Sequence, residues 1–154
     1  MRIGVLNGPN LNLLGRREPD HYGTQTLAEI EALLVERAEA SAAELTFFQS
    51  NDEGDIVDWV QANADLVDGW LVNAAALTHT SVALRDALAG SDRPFVEVHL
   101  SNIFAREPFR HTSLLSDLAI GVIAGFRASS YLFGLEALVR VLQGRGEAGA
   151  GKAE

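Results

Sequence analysis

Five short apolar runs, separated by helical patterns and polar loops, constrain this chain more than any other feature. Arg2–Asn7, Glu44–Ser50, Gly69–Asn73, Pro94–Leu100 and Ile120–Ala124 have the length and apolar content of buried strands. The intervening stretches change period. Thr26–Ser41 places Leu27, Ile30, Leu33, Leu34 and Ala38 on one helical face, and Thr26 with Glu29 forms a capping-box signature. Asp55–Ala64 turns Ile56, Val57 and Val60 inward. Thr80–Ala89 reads as a helix capped from Thr78–Ser81, and Ala128–Gln143 carries Leu132, Leu135, Leu138, Val139 and Leu142 at helical spacing. Strands alternating with helices imply a parallel sheet covered on both faces.

Five strands point to a flavodoxin-like, doubly wound α/β fold in three α/β/α layers. A length of 154 residues fits one domain, expected over residues 1–143. Residues 144–154 are mostly Gly, Ala and charge, and read as a disordered tail. The net charge of −9 argues against nucleic acid or an anionic membrane as partner. The chain lacks a run of ~18 apolar residues and an opening signal-like segment, so a cytoplasmic protein is expected.

Cysteine is absent, which removes disulfides, thiolate nucleophiles and thiolate-bound metals. Lysine occurs once, as Lys152 near the end of the chain, where desolvation cannot activate it. Schiff-base chemistry, pyridoxal attachment and a P-loop lysine are therefore not expected. His21, His79, His99 and His111 show no metal-ligand spacing, so no metal site is expected. Chemistry falls to His, Tyr, Arg, Asn and carboxylates.

Two stretches are too long for ordinary α/β connections of ~2–6 residues. Gly8–Gln25 follows the first strand and Ser101–Asp117 the fourth, both at carboxyl ends, where open α/β sheets bind ligands. Asn7 and Asn10, with Arg16, Arg17 and Tyr22, leave the first strand. Asn73 and His79 leave the third, and Glu97, His99, Ser101, Arg106 and Arg110 belong to the end of the fourth. Glu97 and His99 are two apart on a strand and share a face. They fit an oriented acid or a purely structural pair. Arg16, Arg17 and Tyr22 fit a base beside a guanidinium or a solvated basic turn. His79 fits an anion site at a helix start or a capping segment. Arg110 and His111 fit hydroxyl or carboxylate binding, or a solvated loop. The acidic stretch Asn51–Asp68 lacks calcium-loop spacing and reads as a charged surface or a subunit contact.

The segments NGPNLNLLGRREPDHYG at Asn7–Gly23, Gln49-Ser50-Asn51 with Gly54, NAAALTHTSVALRDAL at Asn73–Leu88 and EVHLSNIFAREPFRHTS at Glu97–Ser113 together resemble the type II 3-dehydroquinate dehydratases. The resemblance covers about residues 2–143. It implies elimination of water from 3-dehydroquinate to 3-dehydroshikimate through an enolate, without metal or organic cofactor, in a dodecamer of trimers. It assigns the base to Tyr22, the acid to His99 and a lid guanidinium to Arg17. Asn10 would hold a bridging water and Glu97 the acidic imidazole. Asn73, His79 and Arg110 would bind ring hydroxyls, and the amides of Leu100 and Ser101 the carboxylate. Asp86 would reach an adjacent subunit's site. Either aromatic biosynthesis or quinate breakdown would use this reaction. The chain departs from the family pattern at Ala74-Ala75-Ala76 and at Arg127-Ala128-Ser129-Ser130, both usually richer in glycine.

Other uses of such a fold fit less well. A phosphoacceptor receiver needs an acidic cluster after the first strand, an Asp ending the third and a Lys ending the fifth, where this chain has Asn7 and Asn73 at the first two sites and no lysine at the third. A flavin carrier needs a hydroxyl-rich phosphate loop, and Gly8–Gly15 has no hydroxyl residue. A serine hydrolase needs a G-x-S-x-G elbow, which does not occur. An inactive ligand-binding paralogue would not need Tyr22, Arg17, Asn10 and His99 together.

Overall fold

A computed structural model describes residues 1–16 and 18–150 of the chain. Its strands are β1 (Arg2–Asn7), β2 (Glu44–Gln49), β3 (Gly69–Asn73), β4 (Phe95–His99) and β5 (Gly121–Ala124). Its helices are α1 (Pro19–Tyr22), α2 (Leu27–Glu39), α3 (Glu53–Asn63), α4 (Val82–Gly90) and α5 (Ala128–Ala150). The five strands form one parallel sheet in the order β2-β1-β3-β4-β5, the flavodoxin-like arrangement the sequence implied.

Strand alternation splits the core into two layers. Ile3, Val5, Leu71, Val96 and Val98 face α2 and α5, where Ile30, Leu34, Tyr131, Leu135 and Leu138 pack. Leu6, Trp70, Val72 and Phe95 face α3 and α4, against Ile56, Val60, Leu84 and Leu88. Both faces of the central strands β1, β3 and β4 are therefore buried, as a parallel sheet requires, while the edge strand β5 keeps Val122 42% exposed. Gly4 has no side chain because a Cβ there would enter the Trp70 ring.

Side-chain caps set the helix starts. Thr26 accepts from the Glu29 amide at 3.3 Å while the Glu29 carboxylate accepts from the Thr26 amide at 2.7 Å, completing the box. Asp52 accepts from the amides of Gly54 and Asp55, so α3 begins at Glu53 rather than Asp55. Ser81 accepts from the Leu84 amide, so α4 begins at Val82, two residues later than the spacing suggested. At the other end of the chain α5 continues past Gln143 to Ala150, where composition had suggested a tail over 144–154; residues 151–154 of that tail lie outside the described residues. Ala and Glu among the glycines of that stretch are strong helix formers and extend a helix already nucleated against the sheet.

The two long connections are partly helical. Leu11–Leu13 forms a 3₁₀ turn and α1 a single α-helical turn, while Ile103–Ala105 and Pro108–Arg110 are 3₁₀ turns. A further 3₁₀ turn, Ala75–His79, links β3 to α4.

Candidate active site

The carboxyl ends of β1, β3 and β4 meet at one cleft. It spans about 650 Å³ including its open mouth, and Asn10, Tyr22, Asn73, His79, His99, Leu100, Ser101, Arg106 and Arg110 contribute to its walls. The cleft straddles the sheet edge. Asn73 lies on the face toward α5, in register with Asn7, while Glu97 and His99 lie on the face of Phe95.

Close backbone approach shapes the floor. The Gly8 amide donates to the Asn73 carbonyl at 2.8 Å, and a Cβ at Gly8 would overlap the Ala74 backbone. Asn10 adopts φ 68, a left-handed conformation asparagine tolerates, and its amide donates to Asn51 Oδ1 at 2.9 Å. Ala75 sits at φ 51 and Arg127 at φ 53, so both departures from the glycine-rich pattern include a side chain in the left-handed region.

His99 and Glu97 form a buried pair. His99 Nε2 lies 2.6 Å from Glu97 Oε1, and Ser113 Oγ donates to Glu97 Oε2 at 2.9 Å. Glu97 is fully buried and His99 nearly so. With both carboxylate oxygens occupied and Nε2 engaged, Nδ1 is the ring nitrogen left for a bound molecule. The His79 ring stacks 6.4 Å from that of His99. His79 Nδ1 bonds the Thr112 carbonyl at 2.7 Å, which fixes the ring and leaves Nε2. Burial lowers the His79 pKa below its usual value, against an opposing pull from the Thr112 carbonyl; the His99 and Arg110 charges lower it further. His79 closes the 3₁₀ turn rather than opening α4, so the helix-start anion site suggested for it is not formed.

The opposite wall carries Tyr22, at the end of α1 and half-buried. Arg106 donates to the Tyr22 hydroxyl oxygen at 2.7 Å and to Ser101 Oγ at 3.3 Å, with its guanidinium carbon 5.3 Å from the Tyr22 ring centre. The Arg106 side chain is only 7% exposed. His111 Nε2 lies 3.0 Å from the Arg106 carbonyl and steadies that turn. Arg110 donates to Glu107 at 2.8 Å and lines the cleft. Leu100 and Ser101, just past β4, are buried in its wall.

The structure thus gathers Asn10, Tyr22, Asn73, His79, His99, Leu100, Ser101 and Arg110 around one space, with Glu97 directly behind His99. Arg17 lies outside the described residues. Asp86 is exposed on α4 beside a separate shallow groove and does not join the cleft. Among the described residues no group of three His, Cys, Asp or Glu is placed to hold a metal ion. Sequence reasoning gave no role to Arg106, Ser113 or Tyr131. The Tyr131 hydroxyl donates to Asn7 Oδ1 at 2.6 Å and accepts from Asn73 Nδ2 at 2.9 Å. Tyr131 precedes Leu135 and Leu138 by four and seven residues, so helical spacing already placed it on the buried stripe, where a hydroxyl requires a partner.

Comparison with known proteins agrees with this architecture. The family model for dehydroquinase class II matches residues 1–139. The 3-dehydroquinate dehydratase of Azorhizobium caulinodans is 62% identical over 136 residues, covering 88% of this chain and 92% of that protein. That of Vibrio cholerae is 56% identical over 144 residues, covering 94% and 96%. The crystal structure of the type II dehydroquinase from Butyrivibrio crossotus superposes with a TM-score of 0.86 at 39% identity, covering 90% of this chain and 97% of that one.

Proposed function

Because the chain belongs to the class II dehydroquinase family and carries its 3-dehydroquinate dehydratase activity, we propose that Tyr22 and His99 divide the proton transfers of that reaction. One observation carries the assignment. A single cleft holds a tyrosine oxygen bonded to a guanidinium on one wall and an imidazole bonded to a buried carboxylate on the other.

The substrate carries an acidic C–H next to a ketone and a hydroxyl one carbon further on. The Tyr22 oxygen, as phenolate, removes the proton and the electron pair moves onto the ketone oxygen. Arg106 supplies a donor and a positive charge at the tyrosine oxygen. Arg17 keeps the role the family resemblance gives it, a lid guanidinium that activates the tyrosine. Asn10 holds a water against the enolate oxygen, a form of electrostatic stabilisation. The enolate then collapses, the C–O bond breaks, and His99 gives its proton to the departing hydroxyl, which leaves as water. Glu97 orients the imidazole and balances its charge, and Ser113 orients Glu97. Asn73, His79 and Arg110 bind ring hydroxyls, and the amides of Leu100 and Ser101 bind the carboxylate. Every step uses side chains of this chain, without a metal or organic cofactor.

The same reading extends to assembly. Asp86, exposed on α4, serves a neighbouring subunit in a dodecamer. Phe104, Phe109, Phe126 and Phe133 are each about half exposed or more, consistent with surfaces that other subunits cover. Among the described residues no helix is long and apolar enough to cross a membrane. We place the activity in the cytoplasm, as a lyase of the shikimate pathway, within one domain spanning residues 1–143.

The test is ultraviolet absorbance after mixing the purified protein with 3-dehydroquinate, with and without a chelator. The product is a conjugated enone carboxylate, so absorbance rises as water leaves. A rise equal in both arms is the expected result. A flat trace from folded protein would refute the activity, and a rise abolished by the chelator would refute the metal-free route.

A further inference from the structure

The hydroxyl of Tyr131 ties the last helix to the cleft. The Tyr131 side chain is fully buried, yet its oxygen is shared by two strand-end asparagines. A phenol has one proton to give. That proton goes to Asn7 Oδ1 at 2.6 Å, so toward Asn73 the oxygen can only accept. Asn7 Nδ2 has no partner among the described residues, so the Asn7 amide is oriented by Tyr131 alone.

This makes the chain directional, from Asn73 Nδ2 to the Tyr131 hydroxyl to the Asn7 carbonyl. The other half of the Asn73 amide is equally fixed, because Oδ1 accepts from the Ala75 amide at 3.2 Å. Turning the Asn73 amide over would set two donors face to face at Ala75, and at Tyr131 it would require the hydroxyl proton and the Asn7 amide to turn with it. The Tyr131 end of this chain is fully buried, where an unmade hydrogen bond costs most. One N–H and one carbonyl lone pair of Asn73 remain for the cleft, in a defined order. Burial also pushes the Tyr131 pKa far above the ordinary phenol value, so the lock does not titrate in the working range.

We propose that Tyr131 is a positioning residue that fixes which edge of the Asn73 amide meets a ring hydroxyl of the substrate, and so sets substrate affinity. The proposal rests on the reading that Asn73 contacts substrate.

The experiment is a double-mutant cycle of Tyr131→Phe and Asn73→Ala, read as KM and kcat for 3-dehydroquinate. Tyr131→Phe keeps the ring and removes only the hydroxyl. It should raise KM about ten-fold, the worth of one hydrogen bond to a bound ligand, with the loss carried by KM rather than kcat. In the Asn73→Ala background the same change should have no further effect on KM. A purely structural role would give equal losses in both backgrounds and overturns the proposal, as does an unchanged KM in Tyr131→Phe. An unchanged KM in Asn73→Ala refutes the substrate role of Asn73 itself. Should Tyr131→Phe fail to fold, Asn7→Ala replaces it. That variant keeps the hydroxyl but frees its proton to meet a turned Asn73, so KM must again rise, and an unchanged value overturns the proposal.

Discussion

Replacing Glu97 by glutamine separates a catalytic pair from a merely structural one. The change keeps the shape of the side chain and an oxygen for His99, but removes the charge. In the parent, the Nε2–Oε1 distance is 2.6 Å and both groups are buried, so the bond is of the short, charge-assisted kind. On the proposed mechanism the imidazole carries a proton when the hydroxyl departs, and the carboxylate holds that charged form in place. Losing the charge removes at least ~1.5 kcal/mol, the lower value for a hydrogen bond to an ion. It removes at most ~4 kcal/mol, the attraction of two unit charges ~4 Å apart at an effective dielectric of ~20. At ~1.4 kcal/mol per factor of ten, kcat should fall between ~10-fold and ~1,000-fold. Stability should change little, because the several kcal/mol of desolvation that a buried carboxylate costs and the neutral amide avoids is offset by the lost Ser113 bond, whose oxygen already accepts from the Leu115 and Ser116 amides. Steady-state absorbance kinetics measure the first quantity and urea midpoints the second. A kcat within three-fold of the parent would refute the argument and leave Glu97 a structural partner. So would a large loss of stability accompanying the loss of rate, since folding would then account for both.

Arg106→Met keeps most of the buried stem but removes the donor to Tyr22, and should lower kcat/KM by ~10-fold or more at neutral pH with an unchanged urea midpoint; equal activity would remove Arg106 from the mechanism. Ala75→Gly relieves an alanine at φ 51, worth ~1–2 kcal/mol, against ~0.5–1 kcal/mol of added chain entropy in the unfolded state. The thermal midpoint should rise by a few degrees, and a fall would show that the turn is not strained there. His79 has a depressed pKa in the folded state, so the unfolded chain binds the proton more readily. Stability should therefore be lost as pH falls through about 6.5, the unfolded value, and level off below the folded value. Urea midpoints at pH 7.5 and 5.5 should show a smaller drop in His79→Gln than in the parent, and equal drops would refute the assignment.

The fold was legible because each layer left a separate mark in the sequence. Ile3, Val5, Leu71, Val96 and Val98 sit in apolar runs too short for helices, and Ile30, Leu34 and Ala38 repeat at the period that faces them. The residues of the cleft were legible as strand-end polar groups, and topology alone predicted that β1, β3 and β4 would be neighbours. Helix starts were less so, because capping by Asp52 or Ser81 depends on the backbone angle at which the chain arrives. Arg106 carries no local signal that separates it from Arg16 or Arg110. Its burial arises from how two 3₁₀ turns fold the long connection after β4 back over the cleft, a tertiary outcome no spacing encodes. Ser113 is similar, since its bond to Glu97 crosses that same connection.

The chain holds two tyrosines, and their surroundings rather than their chemistry divide the work between them. Tyr131 is sealed in the core, its oxygen already engaged as donor and acceptor, and burial keeps its proton on. A group in that state cannot take a proton from a substrate, but it can hold two asparagines at fixed angles without regard to pH. Tyr22 sits at the end of a single helical turn on the open side of the cleft, with a guanidinium donating to its oxygen. A base must be reachable by the substrate and must tolerate negative charge on the atom that reacts. On the proposed mechanism only Tyr22 meets both conditions. The lone lysine lies near the chain end, cysteine is absent, and the carboxylate behind His99, Glu97, is already committed on both oxygens to His99 and Ser113. On the proposed roles, one phenol holds the Asn73 amide at a set angle while the other, lining the same cleft, takes the proton.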